Sequence, residues 1–105
     1  MKNKLWKLAN AMQKVCGTNG RDDVFTVDET WEDYGAGMRW TTIIYHHYYT
    51  NQKGELKDSS HQCLYRRHMN MLENADENFD YETLAKEILC GEYANLYGLN
   101  GKEIN

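Results

Sequence analysis

The run from Met38 to Thr50 constrains this chain most, because no glycine, proline, asparagine or aspartate interrupts it. It is dense in β-branched and aromatic residues, which suit a pleated, half-buried surface, so a long central β-strand is expected. A period of two places Met38, Trp40, Thr42, Ile44, His46 and Tyr48 on one face. Arg39, Thr41, Ile43, Tyr45, His47 and Tyr49 take the other. Neither row is purely polar. One face therefore needs a covering layer, and the other meets solvent, a ligand or a partner.

The flanking segments supply that layer. Residues 3–16 place Leu5, Leu8, Ala9, Met12, Val15 and Cys16 at three- and four-residue spacing, with Lys4, Lys7 and Lys14 off the stripe, which predicts an amphipathic helix ending near Gly17. Trp6 falls beside the stripe, as an edge-packing residue would. Residues 23–32 read as a first strand, joined to the long one by a turn through Gly35 and Gly37. Asn51 to Gly54 reads as a second hairpin connection, after which residues 55–67 are expected to pair back as a third strand. With the turn centred on Gln52 and Lys53, Thr42 would face Cys63 and Ile44 would face His61. Residues 55–82 hold no Val, Ile or Thr, so a helical reading competes there, and residues 69–73 are expected as a turn or short helix. Near the C-terminus, Asp80 is a good N-cap, Phe79 and Leu84 are spaced for a hydrophobic staple, and Gly91 can end the helix. A short turn over residues 93–97 and a frayed tail complete the chain.

The expected fold is α+β: a small antiparallel β-meander of two or three strands with an N-terminal and a C-terminal helix packed on one face, as a single domain spanning residues 1–105. No apolar run approaches the roughly 20 residues of a membrane span. Residues 1–7 begin with lysines but lack the apolar segment of a secretory signal. Together with an odd count of three cysteines, Cys16, Cys63 and Cys90, this points to a cytoplasmic protein with reduced thiols.

Three groups of residues could carry chemistry. His46, His47, His61, Cys63 and His68 are ligand types for zinc, but their spacing is not that of a known structural zinc site, and adjacent strand histidines point to opposite faces. Cys63 with a neighbouring histidine could in principle form a nucleophile pair, yet no glycine-rich elbow or orienting acid accompanies it. No phosphate-cradling loop is present either. No metal, cofactor or catalytic residue is therefore expected. The third group is aromatic: eight tyrosines and three tryptophans, several of them in or beside the central hairpin, a composition typical of recognition surfaces.

Charge selects the class of partner. The net charge is −4, and thirteen of sixteen acids lie in residues 22–33 and 73–92. Nucleic acid favours a basic stripe, so a basic protein is the better partner. The expectation is a small acidic, non-enzymatic protein-binding module, of the kind a phage or mobile element could use as a stoichiometric inhibitor of a nucleic-acid-handling protein. Tyr34, Tyr45, His47 and Tyr49 would be its anchors, with Asp28, Glu32, Glu82 and Glu87 as steering acids. The alternatives are single-stranded nucleic-acid binding through an aromatic sheet face, and a small zinc-binding or Cys/His enzyme domain. Self-association stays open.

Overall fold

Helix α1 (Lys2–Cys16) forms where the apolar spacing demands it and buries Leu5, Leu8, Ala9, Met12 and Cys16. In the computed structural model, residues 1–16, 22–29 and 40–91 are described. Strands β1 (Asp22–Glu29), β2 (Thr41–Thr50) and β3 (Leu56–Gln62) form one antiparallel sheet in the order β1-β2-β3. The aromatic stretch is its centre, as its composition predicts. The turn through Gly35 and Gly37, the short turn at 93–97 and the tail lie outside the described residues.

Pairs Phe25–Tyr45 and Val27–Ile43 set the register of β1 on β2. Cross-strand pairs share a face, so this row points at the helices. Phe25, Val27, Ile43 and Tyr45 join Leu5, Leu8, Met12, Leu72, Leu84 and Leu89 in one hydrophobic cluster. The Phe25 and Tyr45 rings lie 5.2 Å apart. Burying each large side chain contributes about 1.5–3 kcal/mol, so this cluster is the main source of stability. α1 packs directly on β1 and β2, and α3 (Tyr81–Leu89) reaches the cluster chiefly through α1.

Asp80 caps α3 as its position predicts. Its Oδ1 accepts from the Thr83 amide at 3.1 Å, and its Oδ2 accepts from the Thr83 hydroxyl at 2.6 Å. These bonds hold the Asp80 carboxyl below its ordinary pKa.

Two expectations are corrected. The third strand ends at Gln62, and Arg66 and Arg67 open a helix, α2 (Arg66–Glu73). The segment lacks β-branched residues, and its start is set by a reciprocal local bond: the Tyr65 amide donates to His68 Nδ1 at 3.0 Å, with the two rings stacked. His68 thus takes the place that Glu or Gln holds in a capping box.

The second correction is register. Ile44 pairs with Gln62, and Tyr45 with His61. The loop holds five residues, Asn51 to Glu55, between the terminal pair Thr50–Leu56. Asn51 Oδ1 accepts from the amides of Lys53 and Glu55, and Gly54 takes a φ of 79°. A slip of one residue moves every β3 side chain to the opposite face. His61 and Cys63 therefore lie on the helix side, while Asp58, Ser60 and Gln62 join Thr42, Ile44, His46 and Tyr48 on the outer side.

Candidate functional site

Beyond the core, β2 runs out past the helices. Ile43 and Tyr45 are buried, His47 is half-buried and Tyr49 is 44% exposed. The rings of His47 and Tyr49 stack with centroids 5.7 Å apart. Across the strand pair Tyr49 meets Lys57, while Leu56, 73% exposed, pairs with Thr50 and so projects from the opposite face. This hairpin end carries aromatic and aliphatic surface that the core does not use.

Tyr45 does not belong to that surface. At 2% exposure it packs on Phe25, because the row that it shares with Ile43 is the one the helices cover. The row of Tyr45, His47 and Tyr49 was expected to be the open one, and the opposite row is not simply open either. There Thr42 and Ile44 are buried at 1% each, and Trp40, His46 and Tyr48 on either side of them are partly accessible. Tyr34 and Glu32 lie outside the described residues.

The remaining expected acids are engaged within the chain. Glu82 lies 3.6 Å from Lys14 and 3.7 Å from Lys86, and Glu87 lies 2.9 Å from Arg67. These exposed pairs contribute at most about 1 kcal/mol each, but they tie α3 to α1 and α2, and each of the two acids already faces a cation. Asp28 accepts from the Thr26 hydroxyl at 2.7 Å.

That last bond opens onto an arrangement sequence reasoning missed. On the outer face, His46 Nε2 lies 3.1 Å from Thr26 Oγ1, and its Nδ1 lies 3.1 Å from Ser60 Oγ and 3.2 Å from Asp58 Oδ2. Ser60 donates to Asp58 Oδ1 at 3.1 Å. One imidazole thereby bridges β1 and β3 across β2. The order hydroxyl–imidazole–carboxylate is that of an activated nucleophile, but Thr26 gives its proton to Asp28 over the shorter distance. The cluster orients strands rather than freeing an alkoxide. The only available signal for it was the register, which turns on the loop's fifth residue.

His46 and His61 lie on opposite faces, and His68 sits at the start of α2 (Arg66–Glu73), 2% exposed. Among the described residues no group of three or more His, Cys, Asp or Glu could hold a metal ion. Cys63 is buried, and its thiol donates to the His61 carbonyl at 3.8 Å. Burial lowers the pKa of His61. It also lowers that of His68, where Arg67 adds to the effect and Glu87 opposes it. His68 Nδ1 accepts a hydrogen bond, so the neutral ring carries its proton on Nε2, a buried atom without a hydrogen-bond partner among the described residues.

The sheet edges complete the geometry. The Glu55 carbonyl accepts from Asn51, and the Cys63 amide donates to Ile43. Odd residues of β3 therefore turn their N–H and C=O groups towards β2. By the alternation of antiparallel ladders, those of Leu56, Asp58, Ser60 and Gln62 point away from the sheet. On β1 the same alternation turns Phe25 outward, and its amide donates to Gln13 Oε1 of α1 at 3.1 Å.

No protein-family model, curated protein or solved structure matches the chain.

Proposed function

We propose that the chain is a small non-enzymatic protein-binding module whose contact surface is the open end of the β2–β3 hairpin. The observation that carries this reading is the His47–Tyr49 stack, which leaves Tyr49 44% exposed at a place where the core has ended. Tyr49 would act as an anchor. Such a residue at the centre of an interface is worth ~2 kcal/mol or more, and its rigid ring loses little entropy on contact. A net charge of −4 favours a basic partner and encounter rates that fall with salt. Glu82 and Glu87 contribute less to that steering than their number implies, since each already faces a cation. In its narrowest form the proposal is a cytoplasmic stoichiometric inhibitor seated on the basic surface of a nucleic-acid-handling protein. Base stacking is less favoured, because burial of Tyr45 leaves two rings where three were expected. Among the described residues no helix is long and apolar enough to cross a membrane.

Affinity capture from the native host at low and high salt tests the reading. A protein that elutes as salt rises, and that Tyr49→Ala releases faster by about tenfold or more, is the expected result. Recovery of RNA or single-stranded DNA without protein would overturn it.

A further inference from the structure

The two edges of the sheet end differently. On β1 the outward amide of Phe25 is closed by Gln13 Oε1, and α1 packs along the strand. On β3 the outward backbone groups of Leu56, Asp58, Ser60 and Gln62 meet no backbone partner among the described residues. Its pairing with β2 is continuous, without a bulge, and the strand contains no proline. Natural sheets usually blunt such an edge by covering it, twisting it or loading it with charge. This one carries Lys57, whose charge Glu55 meets at 3.4 Å.

We infer that the β3 edge is a docking site for an extended, cation-bearing segment of another polypeptide, added as a fourth strand beside Leu56–Gln62. The inference rests on the protein-binding reading above and names the partner's chemistry. Strand addition draws affinity from main-chain hydrogen bonds and specificity from alternate side chains. The outer row of β3 is Leu56, Asp58, Ser60 and Gln62, in which Asp58 is the one charge; His46 and Ser60 hold its carboxylate from the sheet side, and its side chain stays 39% exposed. An incoming residue opposite Asp58 gains from a positive charge, in a chain whose total is −4. The residue two places along meets Leu56, so it gains from being apolar. A second copy fits less well. Antiparallel pairing must join outward residues with outward residues. A two-fold axis at Asp58 sets carboxylate against carboxylate, and one at any other position still joins two chains of like net charge.

The test is amide hydrogen exchange by NMR on the full chain, with an acetylated seven-residue peptide, the length of β3. It carries lysine at the centre, leucine two places after it, and threonine or valine elsewhere. The expected result is slowed exchange at Leu56, Asp58, Ser60 and Gln62, with Phe25 unchanged. Gln62→Pro and Leu56→Pro each remove an outward N–H while leaving the ladder to β2 intact, and each should weaken the peptide about tenfold. Glutamate in place of the central lysine should weaken it as well. A peptide N-methylated at its edge-facing amides should not bind, which keeps the test decisive should one proline variant fail to fold. Unchanged exchange under a large peptide excess, or binding indifferent to both prolines, overturns the inference. Protection of the same amides that grows with protein concentration and needs no peptide assigns the edge to a second copy, and also overturns it. If Tyr49→Ala abolishes capture of the cellular partner and the prolines do not, the edge proposal falls and the protein-binding reading stands. If neither affects capture, both fall.

Discussion

The β1 side and the β3 side of this sheet are built from strands of similar length, eight and seven residues, yet they behave as different materials. β1 is half inside: Phe25 and Val27 enter the core, α1 lies along it, and a side-chain carbonyl from that helix answers its outward amide. β3 is nearly all surface. Its side chains from Leu56 to Ser60 are exposed, and only His61 and Gln62 begin to sink. What attaches β3 is the ladder to β2 and the polar bridge through His46. An edge strand thus needs little hydrophobic contact when its neighbour is anchored and a cross-strand network holds register. Among the described residues, the outward backbone groups of β3 meet no backbone partner.

The largest effect should come from removing the anchored side's packing. Tyr45→Ala or Phe25→Ala should cost about 3–5 kcal/mol, read as a lowered midpoint in urea or heat. A loss under ~1 kcal/mol would mean that the two sides are alike after all.

Next in size is the edge bond itself. Gln13→Leu keeps the helix stripe and leaves the Phe25 amide without its acceptor, at a cost of about 1–3 kcal/mol. It should speed exchange at Phe25 towards the rate of the outward-facing β3 amides. Unchanged exchange would show that helix cover alone closes that edge.

The smallest effect is a pH limb. The pKa values of His61 and His68 are lowered by burial in the folded chain, so as pH falls the unfolded chain binds their protons first. Their contribution is complete above a pH of about 6.5 and is lost as pH falls below it. His68→Gln retains an acceptor for the Tyr65 amide and should flatten that limb in a series of melting temperatures. His46→Gln on the outer face should change stability without removing the His61 and His68 limb.

What the residues disclose in advance follows from how local each signal is. The stripe of α1, the Asp80 cap of α3, the alternation of the central strand and the meander with its two terminal helices were all legible. Each is decided by neighbours within a few positions. The start of α2 was not, because its cap uses Tyr65 and His68, residues outside the usual capping vocabulary. The candidate site was legible only in part. Tyr49 lies on the surface and His47 half-buried beside it, but Tyr45 is buried, since period two separates the faces without saying which one the helices choose. Packing made that choice, through the match of Phe25 and Val27 to the α1 stripe. The His46 network and the identity of the outward-facing β3 amides lay further still from the sequence. Both depend on the parity of β3 against β2, and one residue in the Asn51–Glu55 loop reverses it. Composition and periodicity thus determined which elements form and what each can bury. Only the assembled sheet decided which side chains meet, because register couples every residue of a strand to the length of a single turn.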